Sequence, residues 1–186
     1  MSKIVFISGG ARSGKSSFGE DLLSKINGEK SYIATSIPFD EGMRDRIKKH
    51  VDSRPSDWKT YEINHDIDSS ISDVMLASDG VILDCVTVLI TNMMFKDLSI
   101  DWEKIDRNYI DEFQESILTM FKNMISEIRK YPATFIIISN ELGMGIVPEN
   151  RLSRIFRDIA GKVNQLLAKE SDEAYVCISG IPLKLK

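Results

Sequence analysis

Short apolar runs alternate with longer segments of helical spacing along this chain. Five runs rich in β-branched and other apolar residues predict strands: Lys3–Ser8, Ser31–Ala34, Val81–Cys85, Thr134–Ser139 and Ala174–Ile178. Phe135–Ile138 is apolar at every position, which is typical of parallel strands that helices cover on both faces. Trp58–Ile63 alternates between apolar and polar residues instead and predicts a sixth strand at an edge of the sheet.

The segments between these runs place apolar residues three and four positions apart, as helices do. They predict six helices: Lys15–Lys25, Glu41–Ser53, Ile67–Ala77, Val86–Phe95, Trp102–Lys130 and Asn150–Ser171. The alternation indicates an α/β fold, a doubly wound and mostly parallel sheet with helices on both faces. A chain of 186 residues is long enough for one substantial core, so we expect residues 1–186 to form a single domain.

A glycine-rich segment follows the first strand directly. It matches the pattern G-x-x-x-x-G-K-S with Gly9, Gly10, Ala11, Arg12, Ser13, Gly14, Lys15 and Ser16. In such a loop the glycines let the backbone approach phosphate oxygens, the lysine contacts the β- and γ-phosphates, and the hydroxyl binds Mg²⁺. The segment therefore predicts a phosphate-binding loop and a sheet of the P-loop NTPase type. The alternative is a glycine-rich turn that binds nothing.

The composition excludes several classes of partner. The net charge of −4 provides no bulk positive potential for nucleic acid or an anionic membrane, whereas small phosphorylated ligands remain compatible with a local loop. The two cysteines, Cys85 and Cys177, lie in apolar runs and are expected to be buried and reduced.

The sequence also predicts where the protein is located. Neither a signal-peptide pattern nor an apolar segment of about 20 residues is present, so we expect a cytoplasmic protein.

In open parallel sheets, ligands collect beyond the carboxyl ends of the strands. The residues expected at this edge, besides the glycine-rich loop, are Thr35 and Ser36 after the second strand and Asp84 at the end of Val81–Cys85. Ser16 and Asp84 form the expected Mg²⁺ pair, because a loop hydroxyl and a strand-end carboxylate hold nucleotide-bound metal in this fold type. The alternative role of Asp84 is to cap the helix that follows.

Two further residues allow both an ordinary and a chemical interpretation. His50 shares a helix face with Met43 and Ile47, as an interior histidine would, although a neutral imidazole is also a competent nucleophile. Glu62 is by default a solvated surface residue, but one carboxylate can also accept two hydrogen bonds from guanine. The segment Asn140–Arg151 contains two glycines and a proline, and a loop of this kind at a strand end favours a substrate or lid element.

Together these segments resemble one family over essentially the whole chain: the bifunctional adenosylcobinamide kinase / adenosylcobinamide-phosphate guanylyltransferases of cobalamin nucleotide-loop assembly. The resemblance rests on the phosphate loop and on five further segments: Tyr32–Thr35, Arg46–Pro55 with Trp58, Asp84–Thr87, Thr91–Asn92 and Asn140–Arg151. The phosphate loop is common to many families. The histidine segment and the long loop after Asn140 are specific to this one.

The resemblance implies two reactions. In the first, ATP or GTP phosphorylates adenosylcobinamide, with Lys15 and Mg²⁺ neutralising the transferring group. In the second, His50 attacks the α-phosphate of GTP and passes GMP to adenosylcobinamide phosphate, which gives adenosylcobinamide-GDP. It also implies nucleotide contacts at Thr35, Ser36, Arg54, Glu62 and Asp84, with Glu62 the reader of the guanine base. Members of this family form compact homo-oligomers, so the resemblance implies a trimer.

Two other functions are compatible with the phosphate loop. A plain P-loop kinase of another small molecule would use the loop and Asp84, and it would form no covalent intermediate. A nucleotide-binding switch or assembly ATPase would act through a partner contact instead of a product. The fate of His50 distinguishes the bifunctional enzyme from both.

Overall fold

The computed structural model describes residues 2–38, 41–42, 44–45, 51 and 55–186. In these ranges the strands are β1 Lys3–Gly9, β2 Lys30–Ala34, β3 Lys59–Glu62, β4 Gly80–Asp84, β5 Thr134–Asn140, β6 Glu173–Ile178 and β7 Ile181–Lys184. The helices of more than one turn are α1 Lys15–Ser24, α2 Ile67–Leu76, α3 Val86–Met94, α4 Arg107–Ile128 and α5 Arg151–Glu170.

The strands form one sheet in the order β3-β2-β4-β5-β1-β6-β7. All neighbouring pairs are parallel except β6 and β7, which are antiparallel. The prediction of a doubly wound, mostly parallel α/β sheet is therefore confirmed, and so is the edge position of the strand in Trp58–Ile63. The sheet brings the carboxyl ends of β1, β2, β4 and β5 to one edge.

Alternate residues of the central strands point to opposite faces of the sheet. Ile4 and Phe6 of β1 pack with the helices α2 to α5, whereas Val5 and Ile7 pack with α1 on the other face. Gly19 allows α1 to lie close to the sheet, because a Cβ there would be 2.7 Å from Ile138 Cδ1. Helices on both faces explain why the runs are apolar at nearly every position.

The structure corrects two sequence-based boundaries. The predicted helix Trp102–Lys130 begins only at Arg107, because the Asp106 carboxylate accepts a hydrogen bond from Tyr109 N at 2.8 Å and caps the helix there. Trp102 is buried ahead of it, and its indole donates to Met94 O at 3.1 Å. Cys85 is not in a strand and instead precedes α3 at its N-cap.

The strand β7 was not predicted from the sequence. Ser179 and Gly180 connect β6 to β7 with φ values of 53° and 83°, which is the left-handed pair that a two-residue hairpin loop requires. The predicted helix Glu41–Ser53 lies mostly outside the described residues. No helix in the described ranges is both long and apolar enough to cross a membrane.

Candidate functional site

The glycine-rich segment forms the turn between β1 and α1 at the carboxyl edge of the sheet. A Cβ at Gly9 would lie 2.4 Å from Ser13 Oγ and 2.7 Å from Cys177 O, so only glycine fits there. Gly14 has a φ of 89° and approaches Gly180 closely. Both glycines of the pattern are thus required by the backbone geometry of this turn.

The turn leaves hydrogen-bond donors free for an anion. No side chain caps the start of α1. The first backbone N–H groups of this helix therefore remain available to donate to an anion. Lys15 is 91% buried, and its ammonium folds back to donate to Gly10 O at 3.2 Å. Ser13 Oγ is buried without a hydrogen-bond partner among the described residues. The N–H groups of α1, the Lys15 ammonium and the Ser13 hydroxyl thus surround one concave backbone segment, as phosphate binding requires.

Asp84 ends β4 at the same edge, with β5 between it and β1. Its carboxylate oxygen Oδ2 accepts a hydrogen bond from the Tyr32 hydroxyl at 2.9 Å. Tyr32 is 98% buried in β2, so this bond fixes the carboxylate from the neighbouring strand. Sequence reasoning named Asp84 and included Tyr32 in the segment Tyr32–Thr35, but it did not predict that the two side chains pair, because the pairing depends on the β2–β4 register.

Thr35 holds the ends of two strands together instead of exposing its side chain. Its Oγ1 accepts from Cys85 N at 2.9 Å and donates to Cys85 O at 3.0 Å, while Asn92 Nδ2 donates to Thr35 O at 2.7 Å. Thr35 is fully buried and Ser36 is half-buried. Any nucleotide contact at this position is therefore made by Ser36 or by the backbone.

A second chain of hydrogen bonds connects β5 with its neighbours. Asn140 Nδ2 donates to Thr87 Oγ1 at 2.6 Å, Asn164 Nδ2 donates to Asn140 O at 3.0 Å, and Ser139 Oγ donates to Asn164 Oδ1 at 2.6 Å. Sequence reasoning included Thr87 only as the end of the segment Asp84–Thr87, without a role, and it did not name Asn164. Each of these two residues is a buried polar residue on an otherwise apolar helix face. That pattern is the sequence signal that could have identified them.

The two cysteines are free and buried, as expected from the sequence. Burial raises the pKa of the Cys85 thiol, and the negative charge of Asp84 raises it further. Burial also raises the pKa of Cys177. Raised pKa values favour the protonated thiol over the thiolate at both positions.

The remaining predicted residues have different positions. Glu62 ends β3 at the same edge and is exposed, with Ala34 as its partner in register. Arg12 is exposed at the tip of the phosphate loop with a φ of 56°. His50 and Arg54 lie outside the described residues, so the structure does not place them.

The loop after β5 is fastened to the phosphate loop at its start. Glu141 N donates to Gly9 O at 2.9 Å. Further along, Arg157 donates to Ile146 O at 3.3 Å, and Arg154 donates to Pro148 O at 3.0 Å. These bonds hold an exposed loop, in which Ile146 is 96% accessible, against the start of α5.

The residues predicted to hold Mg²⁺ have suitable donor chemistry. Mg²⁺ prefers oxygen ligands and commonly uses one or two protein oxygens together with substrate phosphates and water. Ser16 offers a hydroxyl at the start of α1, and Asp84 offers a carboxylate at the end of β4. The part of the chain that the structure describes contains no group of three or more His, Cys, Asp or Glu side chains suited to a metal.

Comparison with known proteins identifies close relatives. The model of the family described as cobinamide kinase / cobinamide phosphate guanyltransferase matches residues 5–185. The chain is 39% identical to the bifunctional adenosylcobalamin biosynthesis protein CobU of Salmonella typhimurium, covering 98% of this chain and 99% of the relative. It is equally 39% identical to CobU of Escherichia coli, and it is 32% identical to CobP of Pseudomonas aeruginosa.

A solved structure supports the fold at low sequence identity. The KaiC-like protein PH0186 of Pyrococcus horikoshii superposes with a TM-score of 0.50 at 9% identity, over 94% of this chain and 70% of that one. A likeness at this identity shows a shared α/β architecture and nothing about the reaction.

Proposed function

The chain belongs to the cobinamide kinase / cobinamide phosphate guanyltransferase family, and on this premise we propose how its residues divide the work of the two reactions. The enzyme is a transferase with nucleoside triphosphate and cobinamide substrates. The observation that carries the assignment of residues is the donor-rich turn at Gly9–Ser16, which lies beside Asp84 and the loop after β5 at one edge of the sheet.

In the kinase reaction, the phosphate loop holds the triphosphate. The Lys15 ammonium leaves Gly10 O and pairs with the β- and γ-phosphates, and the N–H groups at the start of α1 donate to phosphate oxygens. Ser16 and Asp84 would hold Mg²⁺, which supplies charge neutralisation on the transferring group. The cobinamide hydroxyl oxygen bonds to the γ-phosphorus while the bond from that phosphorus to the β,γ-bridging oxygen breaks. The nucleoside diphosphate leaves, and the hydroxyl proton passes to solvent.

In the guanylyl transfer, His50 is the proposed nucleophile. Its nitrogen bonds to the α-phosphorus of GTP and pyrophosphate leaves, and cobinamide phosphate then takes the GMP group from the histidine. The support is the family resemblance of Arg46–Pro55, because His50 lies outside the described residues. A covalent relay allows one reaction between two anions to proceed in two steps, each with one bound partner.

The guanine base is selected by residues near the end of β3, at the carboxyl edge of the sheet. Glu62 is exposed there, and its carboxylate can accept from N1–H and the exocyclic amine of guanine, whereas it repels the N1 lone pair of adenine. Ser36 and Arg54 complete the proposed nucleotide contacts, with Thr35 acting through its backbone. Asp84 contributes both to metal binding and to the nucleotide site.

The family resemblance also carries three proposals about the whole protein. Residues 1–186 form a single catalytic domain, which agrees with a sheet whose strands run from Lys3 to Lys184. The protein works as a homo-oligomer, a trimer by resemblance, and in the cytoplasm. Sedimentation equilibrium of the full chain tests the trimer.

Labelled GTP tests the covalent intermediate. The protein is incubated with GTP labelled at the α- or γ-phosphate and then denatured, and the retained label is tested for acid lability and alkali stability. We expect retention from the α position only, and loss of it in His50→Ala. The matched control is His65→Ala, which removes the other histidine of the chain and should label like the wild type.

The same experiment separates the main alternative. If the wild type phosphorylates cobinamide but retains no label from either position, His50 is not guanylylated. The chain would then act as a P-loop kinase without a covalent intermediate. Equal loss of label in His65→Ala and His50→Ala would contradict the assignment of the nucleophile to His50.

A further inference from the structure

A cleft of about 620 Å³ lies between the first half of α4 and the part of α5 from Arg151 to Gln165, and Gly143 of the loop after β5 borders it. None of the described phosphate-loop residues lines this cleft. Its volume falls in the range of about 300–1,000 Å³ that is usual for small-molecule sites. It is therefore a cavity of ligand size, and none of the described residues assigned above to nucleotide binding or catalysis lines it.

The cleft is positively charged although the protein is acidic. Five cationic side chains line it: Arg107, Arg151, Arg154, Arg157 and Lys162. With the two carboxylates Asp111 and Asp158, its formal charge is +3, whereas the whole chain carries −4. A concave surface with this excess of one sign concentrates ligands of the opposite sign.

Three of these arginines are held in place by neutral acceptors. Arg151 donates to Glu103 O at 2.8 Å and to Ile105 O at 2.6 Å, while Arg154 and Arg157 bind carbonyl groups of the loop after β5. A carbonyl partner orders the side chain but leaves its full charge available. These side chains are therefore already ordered in the free protein, so that binding a ligand would cost little additional side-chain entropy.

A neutral amide also lines the cleft. The side chain of Gln114 on α4 borders the cavity, although the residue as a whole is 92% buried. Its amide N–H group can donate a hydrogen bond to an acceptor oxygen of a ligand in the cleft.

The helix N-termini contribute little to this field. The helix α4 ends shortly before β5 begins, and α5 begins after β5 ends, so both helices start at the carboxyl edge of the sheet. Each N-terminus already has a carboxylate partner, because Tyr109 N donates to Asp106 Oδ1 and Leu152 N donates to Glu103 Oε1. The attraction of the cleft for an anion therefore comes from its cationic side chains.

We propose that this cleft is a second anion site that binds a di- or triphosphate chain, separate from the phosphate loop. Inorganic pyrophosphate and the phosphate chain of a nucleoside triphosphate share this chemistry. The proposal does not depend on His50. It rests on the proposed function only for the origin of pyrophosphate, which guanylyl transfer releases.

Calorimetric titration with pyrophosphate and with ATP tests the site. We expect wild type to bind two equivalents of pyrophosphate per chain and Lys15→Ala to retain one. Arg107→Gln with Lys162→Gln, added to Lys15→Ala, should weaken that remaining equivalent at least about tenfold, since two charges are lost. Both side chains are exposed, and Arg107 pairs with the Asp111 carboxylate at 3.2 Å instead of holding a loop carbonyl. Lys122→Gln, an exposed change on α4 outside the cleft, is the matched control.

Each outcome decides the proposal. Tighter binding of ATP than of pyrophosphate to Lys15→Ala identifies a nucleotide as the ligand, and equal binding identifies the phosphate chain alone; either supports the site. No binding to Lys15→Ala, or unchanged binding after the two cleft substitutions, overturns it. A change in oligomeric state without a change in affinity also overturns it, because the cleft would then be an interface between copies. The labelled-GTP experiment reports on the proposed function independently.

Discussion

The two edges of the sheet use different residues for different purposes. At the amino edge, charged side chains bind backbone groups: Asp172 accepts from Ile4 N at 2.7 Å, and Asp79 accepts from Glu29 N at 2.9 Å. At the carboxyl edge, glycines and short polar side chains predominate, and Ser13 Oγ has no partner among the described residues. The two carboxylates at the amino edge have their partners within the chain, whereas Ser13 Oγ and the N–H groups at the start of α1 are left for a ligand.

Arg129 shows how the amino edge is closed. Its guanidinium donates to Ser2 O at 3.0 Å, to Glu170 O at 2.6 Å and to Asp172 Oδ2 at 2.7 Å. It thereby joins the end of α4, the end of α5 and the start of β1. Around the phosphate loop the links are single backbone bonds instead: Glu141 N donates to Gly9 O and Gly180 N donates to Ser13 O, both at 2.9 Å. The charged side chain there, Lys15, bonds to Gly10 O within the same loop. The difference indicates that stability and activity depend on opposite edges, which substitutions can test.

The largest expected effect is at the carboxyl edge. Lys15→Ala should lower both activities by at least about 100-fold, because it removes the cation that faces the phosphate chain. The midpoint of urea unfolding should change little. Lys25→Ala, an exposed lysine just beyond α1, is the control and should retain both activities. Unaffected kinase activity in Lys15→Ala would contradict the phosphate-loop assignment.

The amino edge should show the opposite result. Arg129→Ala should lower the free energy of unfolding by about 2 kcal/mol, because it leaves three acceptors without their charged donor. Steady-state kinetics at low temperature should be close to wild type. The control is Lys122→Ala on the exposed side of the same helix. If activity falls by more than the decrease in the folded fraction accounts for, the two edges are coupled.

A smaller effect is expected where a core residue orients a site residue. Tyr32→Phe should weaken the apparent affinity for Mg²⁺ about tenfold, because Asp84 loses the hydroxyl that fixes its carboxylate. Activity at saturating Mg²⁺ should largely recover, which a merely structural defect would not show. Tyr61→Phe in β3 is the control. An unchanged Mg²⁺ dependence would place Asp84 outside the metal site.

The smallest effect concerns pH. The Arg129 guanidinium, followed by Ile4 N–H, holds the pKa of Asp172 below its usual range. A lowered folded-state pKa means that this stabilisation is present above the unfolded-state pKa of about 4 and is lost as the pH falls through the folded value. Denaturant titrations between about pH 6 and 3 should show a flatter pH dependence for Asp172→Asn than for wild type. An equal slope in both proteins would mean that this carboxylate does not contribute.

The phosphate loop was predictable because its pattern is local. Gly9–Ser16 is contiguous, and the backbone geometry of a tight turn demands glycine at particular positions within it. The central strands were predictable for a similar reason, since burial on both faces requires apolar residues at successive positions. Most strand and helix boundaries fell within one or two residues of the observed ones.

Some features left only a weak sequence signal. The hairpin strand β7 contains Pro182, which argues against a strand, and its evidence is a single Ser-Gly pair. The late start of α4 follows from a capping bond at Asp106 and from the burial of Trp102, and helical spacing alone extended the helix too far. In both cases the spacing of apolar residues did not distinguish the possible boundaries, and a local turn or a capping hydrogen bond determined the observed one.

The sequence by itself determined the α/β class, the phosphate loop and the family, because these depend on local patterns and contiguous motifs. Only the tertiary structure decided that Tyr32 orients Asp84, that Thr35 is a buried connector and that Asn140 bonds to Thr87. It also assembled the basic cleft from α4 and α5. These contacts join residues more than 30 positions apart, and their geometry follows from strand order, register and helix packing, which no local pattern encodes.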